Sequence, residues 1–191
     1  MPVGDFLLYA GDSTINGDYK ATIEFIQWIN SLDYKHVAVI AGNHDVSMEK
    51  RPDLIRKWLK PHAVFLDGCG EEIGGWKLWG SGRVPRVGAQ SSARPAGVSN
   101  REHWRHIPVD TQVLLTHTPP DLILDQPKDE SGKHLGCPDL LHRIPALKAL
   151  RLHCFGHIHS SKGVLVKDEI TYVNAAYLTS KKPRSATIID L

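Results

Sequence analysis

This 191-residue chain is short of several things. Its longest apolar runs are five residues, as in Phe6–Ala10. A membrane helix needs about twenty, so none is expected. It has three cysteines, Cys69, Cys137 and Cys154, at unrelated spacings. An odd, unpatterned set excludes a disulfide framework and a Cys-x-x-Cys zinc ribbon, and reads as reduced thiols of a cytoplasmic protein. A secretory signal is not expected, given Pro2 and Asp5 and the lack of a basic opening segment. Charge of one sign is also scarce. Twenty-three Lys and Arg against 21 Asp and Glu leave a net charge of +2, with no basic run, so nucleic acid is not an expected partner.

What is present in quantity is histidine, with 11 residues. Histidine is the commonest metal ligand and a frequent general acid or base. With 41% hydrophobic residues, the length suits one domain, read as 1–191, able to bury a core without a staple.

The pattern along the chain alternates strands and helices. Strands are predicted at 6–10, 36–41, 63–66, 71–73, 76–79, 112–116, 152–155, 163–166, 169–173 and 185–189. Helices are predicted at 19–32, 52–59, 101–107 (capping box at Ser99–Glu102) and 138–150, where Pro145 should kink or restart the helix. Residues 81–98 and 121–137 read as long loops.

Four of the strands run into polar clusters: Gly11-Asp12, Gly42-Asn43-His44-Asp45, Thr116-His117 and Gly156-His157-Ile158-His159. In open α/β sheets, sites gather beyond the carboxyl ends of strands, so these clusters should meet on one rim. Carboxylate, amide and imidazole donors without thiolate suit Mn, Fe or Zn. The other histidines read differently. His36 and His153 are expected to be packed or at edges, and His62, His103, His106, His134 and His142 at the surface. Arg83, Arg86 and Arg94 could meet a phosphate but are more simply solvated loop charges. Cys154, in an apolar strand, should be inert.

The ordered motifs Gly-Asp, Gly-Asn-His-Asp, Thr-His-x-Pro-Pro and Gly-His-x-His resemble the calcineurin-like metallophosphoesterase superfamily. The resemblance is closer to its metallophosphoesterase-domain-containing branch, which includes cyclic-nucleotide phosphodiesterases. Met1–Asp5, Leu8–Asp12, Val39–His44, Leu114–His117, Gly136-Cys137 and Tyr172–Ala175 carry that likeness.

The resemblance implies an α/β sandwich of two mixed sheets flanked by helices, and one or two divalent metal ions. It implies that Asp12 bridges the metals and that Asn43, His117 and His157 bind the second. His159 would bind the first metal, and His44 would be the leaving-group acid, oriented by Asp45. A phosphate ester, nucleotides among them, would be the substrate. The family pattern opens with an Asp-x-His strand, and this sequence has none before Asp12. The first strand is therefore read as missing, with two ligands of the first metal. That loss is expected to expose strand edges and to invite pairing with another chain. Two functions stay open: a metal-dependent phosphodiesterase of reduced activity, or an inactive metal- or nucleotide-binding module.

Overall fold

The computed structural model describes residues 2–85, 100–127, 132–177 and 185–191. Among these, nine strands and five helices follow one another as β1 (Phe6–Tyr9), α1 (Tyr19–Ser31), β2 (His36–Val39), α2 (Val46–Lys50), α3 (Pro52–Trp58), β3 (Ala63–Phe65), β4 (Cys69–Ile73), β5 (Trp76–Ser81), α4 (Arg101–Arg105), β6 (Val113–Thr116), α5 (Pro138–Arg143), β7 (Leu152–Phe155), β8 (Gly163–Lys167) and β9 (Ile170–Asn174).

The strands form two sheets. β1, β2 and β3 make a three-stranded sheet in that order, parallel throughout. The larger sheet has the order β4-β5-β6-β7-β9-β8. Its inner neighbours β5, β6, β7 and β9 are parallel, and hairpins add β4 and β8 antiparallel at the edges.

Side-chain alternation along the strands explains why two sheets stack. On β2 and its extension, Val37, Val39 and Ala41 face one way and pack with Phe25, Ile26 and Ile29 of α1 and Ile55 of α3. Ala38 and Ile40 face the other way, onto Leu78, Val113, Leu115, Leu152, Cys154 and Val173 of the larger sheet. That sheet's second face, with Trp79, Leu114, Phe155 and Tyr172, is covered by Trp104 of α4 and Leu140 of α5. The layers therefore run helix, sheet, sheet, helix, as the two-sheet α/β reading implies. Burial of Cys154 between the sheets pushes its thiol up to about 12, which keeps it unreactive.

Several local expectations change. The helix predicted over 138–150 ends at Arg143 and continues as a 3-10 turn at Ile144–Ala146, a restart imposed by Pro145. α2 was not foreseen, because only five residues separate the Gly42–Asp45 cluster from Arg51. The hairpin turn lies at Asp168-Glu169, one residue later than predicted, with both residues at positive φ (50° and 61°). Residues 185–191 form no strand. Ser99, Arg86 and Arg94 lie outside the described residues. α4 itself begins after Asn100, whose N–H is held by the Asp139 carboxylate at 2.7 Å. No helix among the described residues is long and apolar enough to cross a membrane.

Candidate metal centre

The carboxyl ends of β1, β2, β6 and β7 meet, as the strand-end argument requires. Parallel pairing fixes this: β1 with β2, and β6 with β7, run in register and release their chains at the same rim. The two sheets are stitched together there by Ala41, Gly82 and Gly11. A Cβ on Gly11 (φ 89°) would lie 2.7 Å from Ala41 O, Gly42 N and His117 Nδ1. A Cβ on Gly42 would lie 2.2 Å from Asp12 Oδ1. Only glycine lets these loops approach so closely.

Asp12 and His157 both occupy the left-handed region, with φ of 59° and 64°. Such conformations are uncommon outside glycine, and they concentrate at functional sites. Here each one turns a side chain abruptly off its strand and across the rim. In an extended segment His157 and His159 would point apart. The kink at His157 brings that ring beside His117, with centroids 5.0 Å apart, while His159 begins an exposed 3-10 turn.

The donors then converge. Side-chain ligand atoms of Asp12, His117 and His157 lie within 4.8 Å of one another. His117 Nε2 is 3.1 Å from Asp12 Oδ2 and 3.0 Å from Asn43 Oδ1. Its Nδ1 lies 2.7 Å from the Ala10 carbonyl oxygen, to which it donates. Nε2 therefore directs a lone pair at two further oxygen acceptors. Three facing lone pairs in a buried place need a proton or a cation among them. Burial resists ionisation of Asp12, yet its hydrogen bond to His117 and that ring's charge carry the carboxyl down to about 2. Burial likewise disfavours His117's charge, but the Asp12 carboxylate raises its pKa. His157, half-buried, is lowered to about 4 by its desolvation and by neighbouring His117, and so offers a neutral imidazole at pH 7. The donor set fits a divalent cation, with Asp12, Asn43, His117 and His157 placed to hold it. His159 lines the same cleft but stands outside this cluster.

The supporting residues were harder to foresee. The His44 backbone N–H donates to Asp12 Oδ1 at 3.0 Å, which leaves Oδ2 aimed at the donors. The His44 ring is exposed, and its Nδ1 lies 2.9 Å from the Ile15 carbonyl oxygen. Orientation of His44 thus falls to Ile15. Asp45 does something else. Its buried carboxylate accepts from Ser13 N, Ser13 Oγ, Thr14 N, Thr14 Oγ1 and Gly42 N at 2.7–3.1 Å, locking the Asp12 loop to the Asn43 loop. Ser13, Thr14 and Ile15 gave no sequence signal beyond turn-forming composition.

Other histidines divide. His153 is fully buried, with Nε2 2.8 Å from Thr116 Oγ1. His103 is only half-exposed: its Nε2 is 2.8 Å from Ser81 Oγ and its ring packs against Trp79 and Trp104. The surface reading of His103 therefore does not hold. Its place under the tryptophans was invisible without the fold.

A cleft of about 1340 Å³ opens at this rim. It is lined by Asp12, His44, His117, His157 and His159 at one end and runs along β1 toward Pro2. β1 is an edge strand with all four residues half-buried.

Comparison with known proteins agrees with this geometry. The calcineurin-like phosphoesterase family profile matches residues 2–161. Metallophosphoesterase domain-containing protein 1 of Homo sapiens is 33% identical over 202 residues, which cover 94% of this chain and 61% of that protein. A UPF0046 protein of Caenorhabditis elegans is 33% identical over 204 residues, 97% of this chain and 71% of its own length. This chain thus spans about three-fifths of the human relative's length. Among solved structures, the protein TT1561 of Thermus thermophilus superposes with a TM-score of 0.64 at 12% identity, over 90% of this chain and 76% of that one. That likeness speaks to the fold alone. Fold, ordered strand-end ligands and sequence identity agree that the chain belongs to the calcineurin-like phosphoesterase family.

Proposed function

We propose that the chain is a metal-dependent phosphoesterase that hydrolyses small phosphodiesters, nucleotides among them. Neither a nucleic-acid polymer nor a membrane is part of this reading. The observation that carries it is the convergence of the Asp12, Asn43, His117 and His157 lone-pair donors at a rim reached from an open cleft. A divalent ion held there, whether Mn, Fe or Zn, supplies Lewis-acid polarisation of a phosphoryl oxygen and lowers the pKa of a water.

The chain's own side chains complete the chemistry. The P–O bond to the leaving group breaks as water oxygen attacks phosphorus. His44, exposed at the cleft, donates its Nδ1–H to the Ile15 carbonyl; as imidazolium it also carries a proton on Nε2, which it gives to the leaving oxygen while the attacking water's proton passes to solvent. Asp45 positions the two loops and acts on the reaction only through them. His159, which lines the cleft wall, would help hold a second ion or the substrate phosphate.

Hydrolysis of bis(p-nitrophenyl) phosphate with added Mn²⁺ tests this. His44→Ala should lower turnover about 100-fold with metal uptake retained. Turnover that is absent in the wild type, or unaffected by both His44→Ala and Asn43→Ala, would falsify it. A second reading, a binding module without turnover, is favoured by His159 standing outside the ligand cluster. It predicts one bound equivalent of metal by elemental analysis and nucleotide-induced thermal stabilisation without product.

A further inference from the structure

β8 closes one edge of the larger sheet and reads Gly163-Val164-Leu165-Val166-Lys167. Its three central side chains are exposed by 48%, 38% and 68%, so apolar surface is uncovered on both faces of the strand. Edge strands are usually blunted by charge, proline or a bulge. β8 has none of these between Gly163 and Lys167, and its register with β9 is unbroken from Gly163↔Asn174 to Lys167↔Ile170. The opposite edge of the same sheet differs. β4 carries Glu71 and Glu72 side by side, so a copy pairing with itself there would set carboxylates against carboxylates. β3 is only three residues long, and β1 opens into the cleft.

The hairpin geometry says which β8 backbone groups face outward. A two-residue loop with both φ positive is a type I′ turn, and the residues flanking it form a hydrogen-bonded pair. Lys167, Leu165 and Gly163 therefore direct their amide and carbonyl groups to β9. Val164 and Val166 direct theirs to the open edge.

We propose that this edge pairs antiparallel with β8 of a second copy of the chain, about a two-fold axis at Leu165. That register is self-consistent. It sets Val164 against Val166 of the second copy and Val166 against Val164 of the second copy, so all four outward N–H and C=O pairs close. It sets the apolar side chains of Val164, Leu165 and Val166 against one another. Just beyond the strand ends it sets Lys162 against Asp168 of the second copy, opposite charges in both symmetric halves. A shift by one residue would turn the outward groups of one copy onto inward groups of the other. Two six-stranded sheets would become one of twelve strands. The contact area of an edge pairing is small, so the dimer is of the weak, concentration-dependent kind.

The test is mass against concentration, by light scattering and sedimentation. The wild type is expected to pass from monomer to dimer with rising concentration. Val166→Pro removes an outward donor at an edge position that tolerates proline, and should leave a monomer with its melting transition retained. Lys162→Glu places like charges opposite Asp168 and should weaken association about tenfold. Lys162 Nζ also donates to the Ser185 carbonyl at 2.5 Å, so the double exchange Lys162→Glu with Asp168→Lys is the control, and it should restore association. A wild type that stays monomeric at high concentration overturns the proposal. So does a dimer that survives Val166→Pro, which would place the contact elsewhere, the β1 edge included.

Discussion

Among its described residues the chain holds two clusters of metal-ligand side chains, and they differ in how their lone pairs are already engaged. Asp12, His117 and His157 form the first; Asp121, Asp125 and His134 form the second, equally close-set. The difference lies in the balance of donors and acceptors. In the second, buried Asp125 is saturated. Its Oδ2 accepts from Leu122 N and Gly136 N, and its Oδ1 lies 2.6 Å from His134 Nδ1. His134 Nε2 is in turn 3.0 Å from Gln126 Nε2. Each ligand atom of Asp125 and His134 thus already meets an N–H. In the first, Oδ2 of Asp12, Oδ1 of Asn43 and Nε2 of His117 meet one another. Proximity of ligand types is thus a poor guide, and acceptors that face one another and must share a proton or a cation are a better one.

Paired substitutions put this contrast to work. Asp12→Asn should reduce metal uptake, measured by elemental analysis and Mn²⁺ titration, by on the order of 100-fold or more. Asp125→Asn should leave uptake unchanged while lowering folding stability by about 2–3 kcal/mol in urea melts, because buried N–H groups lose a charged acceptor. Equal loss of metal in both variants would erase the distinction.

The glycines sharpen it next. Gly42→Ala drives a Cβ to 2.2 Å from Asp12 Oδ1 and should cost about 3 kcal/mol as well as metal binding. Gly132, in the loop of the second cluster, has open space around it but a φ of 62°. Gly132→Ala should cost only about 1 kcal/mol, with no effect on metal.

A buried histidine with no metal-binding role gives the pH dependence. Burial holds His153 down to about 3, while an unfolded histidine titrates near 6.5. Between those values the unfolded chain binds a proton that the folded chain refuses. This contribution is complete above pH 6.5 and shrinks as pH falls, by about 2 kcal/mol at pH 5. His153→Phe should flatten that part of the stability–pH profile; an unchanged slope would mean the ring titrates freely. The smallest effect is expected at the exposed Lys35–Asp5 pair, where Asp5→Asn should leave the melting temperature unchanged.

Much of this is readable in the sequence. Continuous apolar runs such as Phe6–Ala10 and His36–Ala41 marked parallel strands, and each ended in glycine plus a residue able to bind a metal. That Asp12, Asn43, His117 and His157 would meet was therefore legible, since strand ends in a parallel sheet share a rim. The role of Asp45 was not. Nothing in Asn43-His44-Asp45 shows that its carboxylate turns back to Ser13 and Thr14, more than thirty residues away, instead of toward His44. The split between His157 and His159 was equally hidden. It depends on one left-handed φ, which is imposed by the packing of the rim.

The absences noted at the outset reach as far as composition can. Few cysteines, no long apolar run and balanced charge bounded the class of protein, and the order of four polar clusters identified the family. These are local properties, set by residue type and by spacing along the chain. Which lone pairs face one another, which carboxylate is already satisfied and which strand edge stays open are relations between residues far apart in sequence. Only the stacking of the two sheets decided them, because hydrogen-bond balance is a property of the assembled neighbourhood.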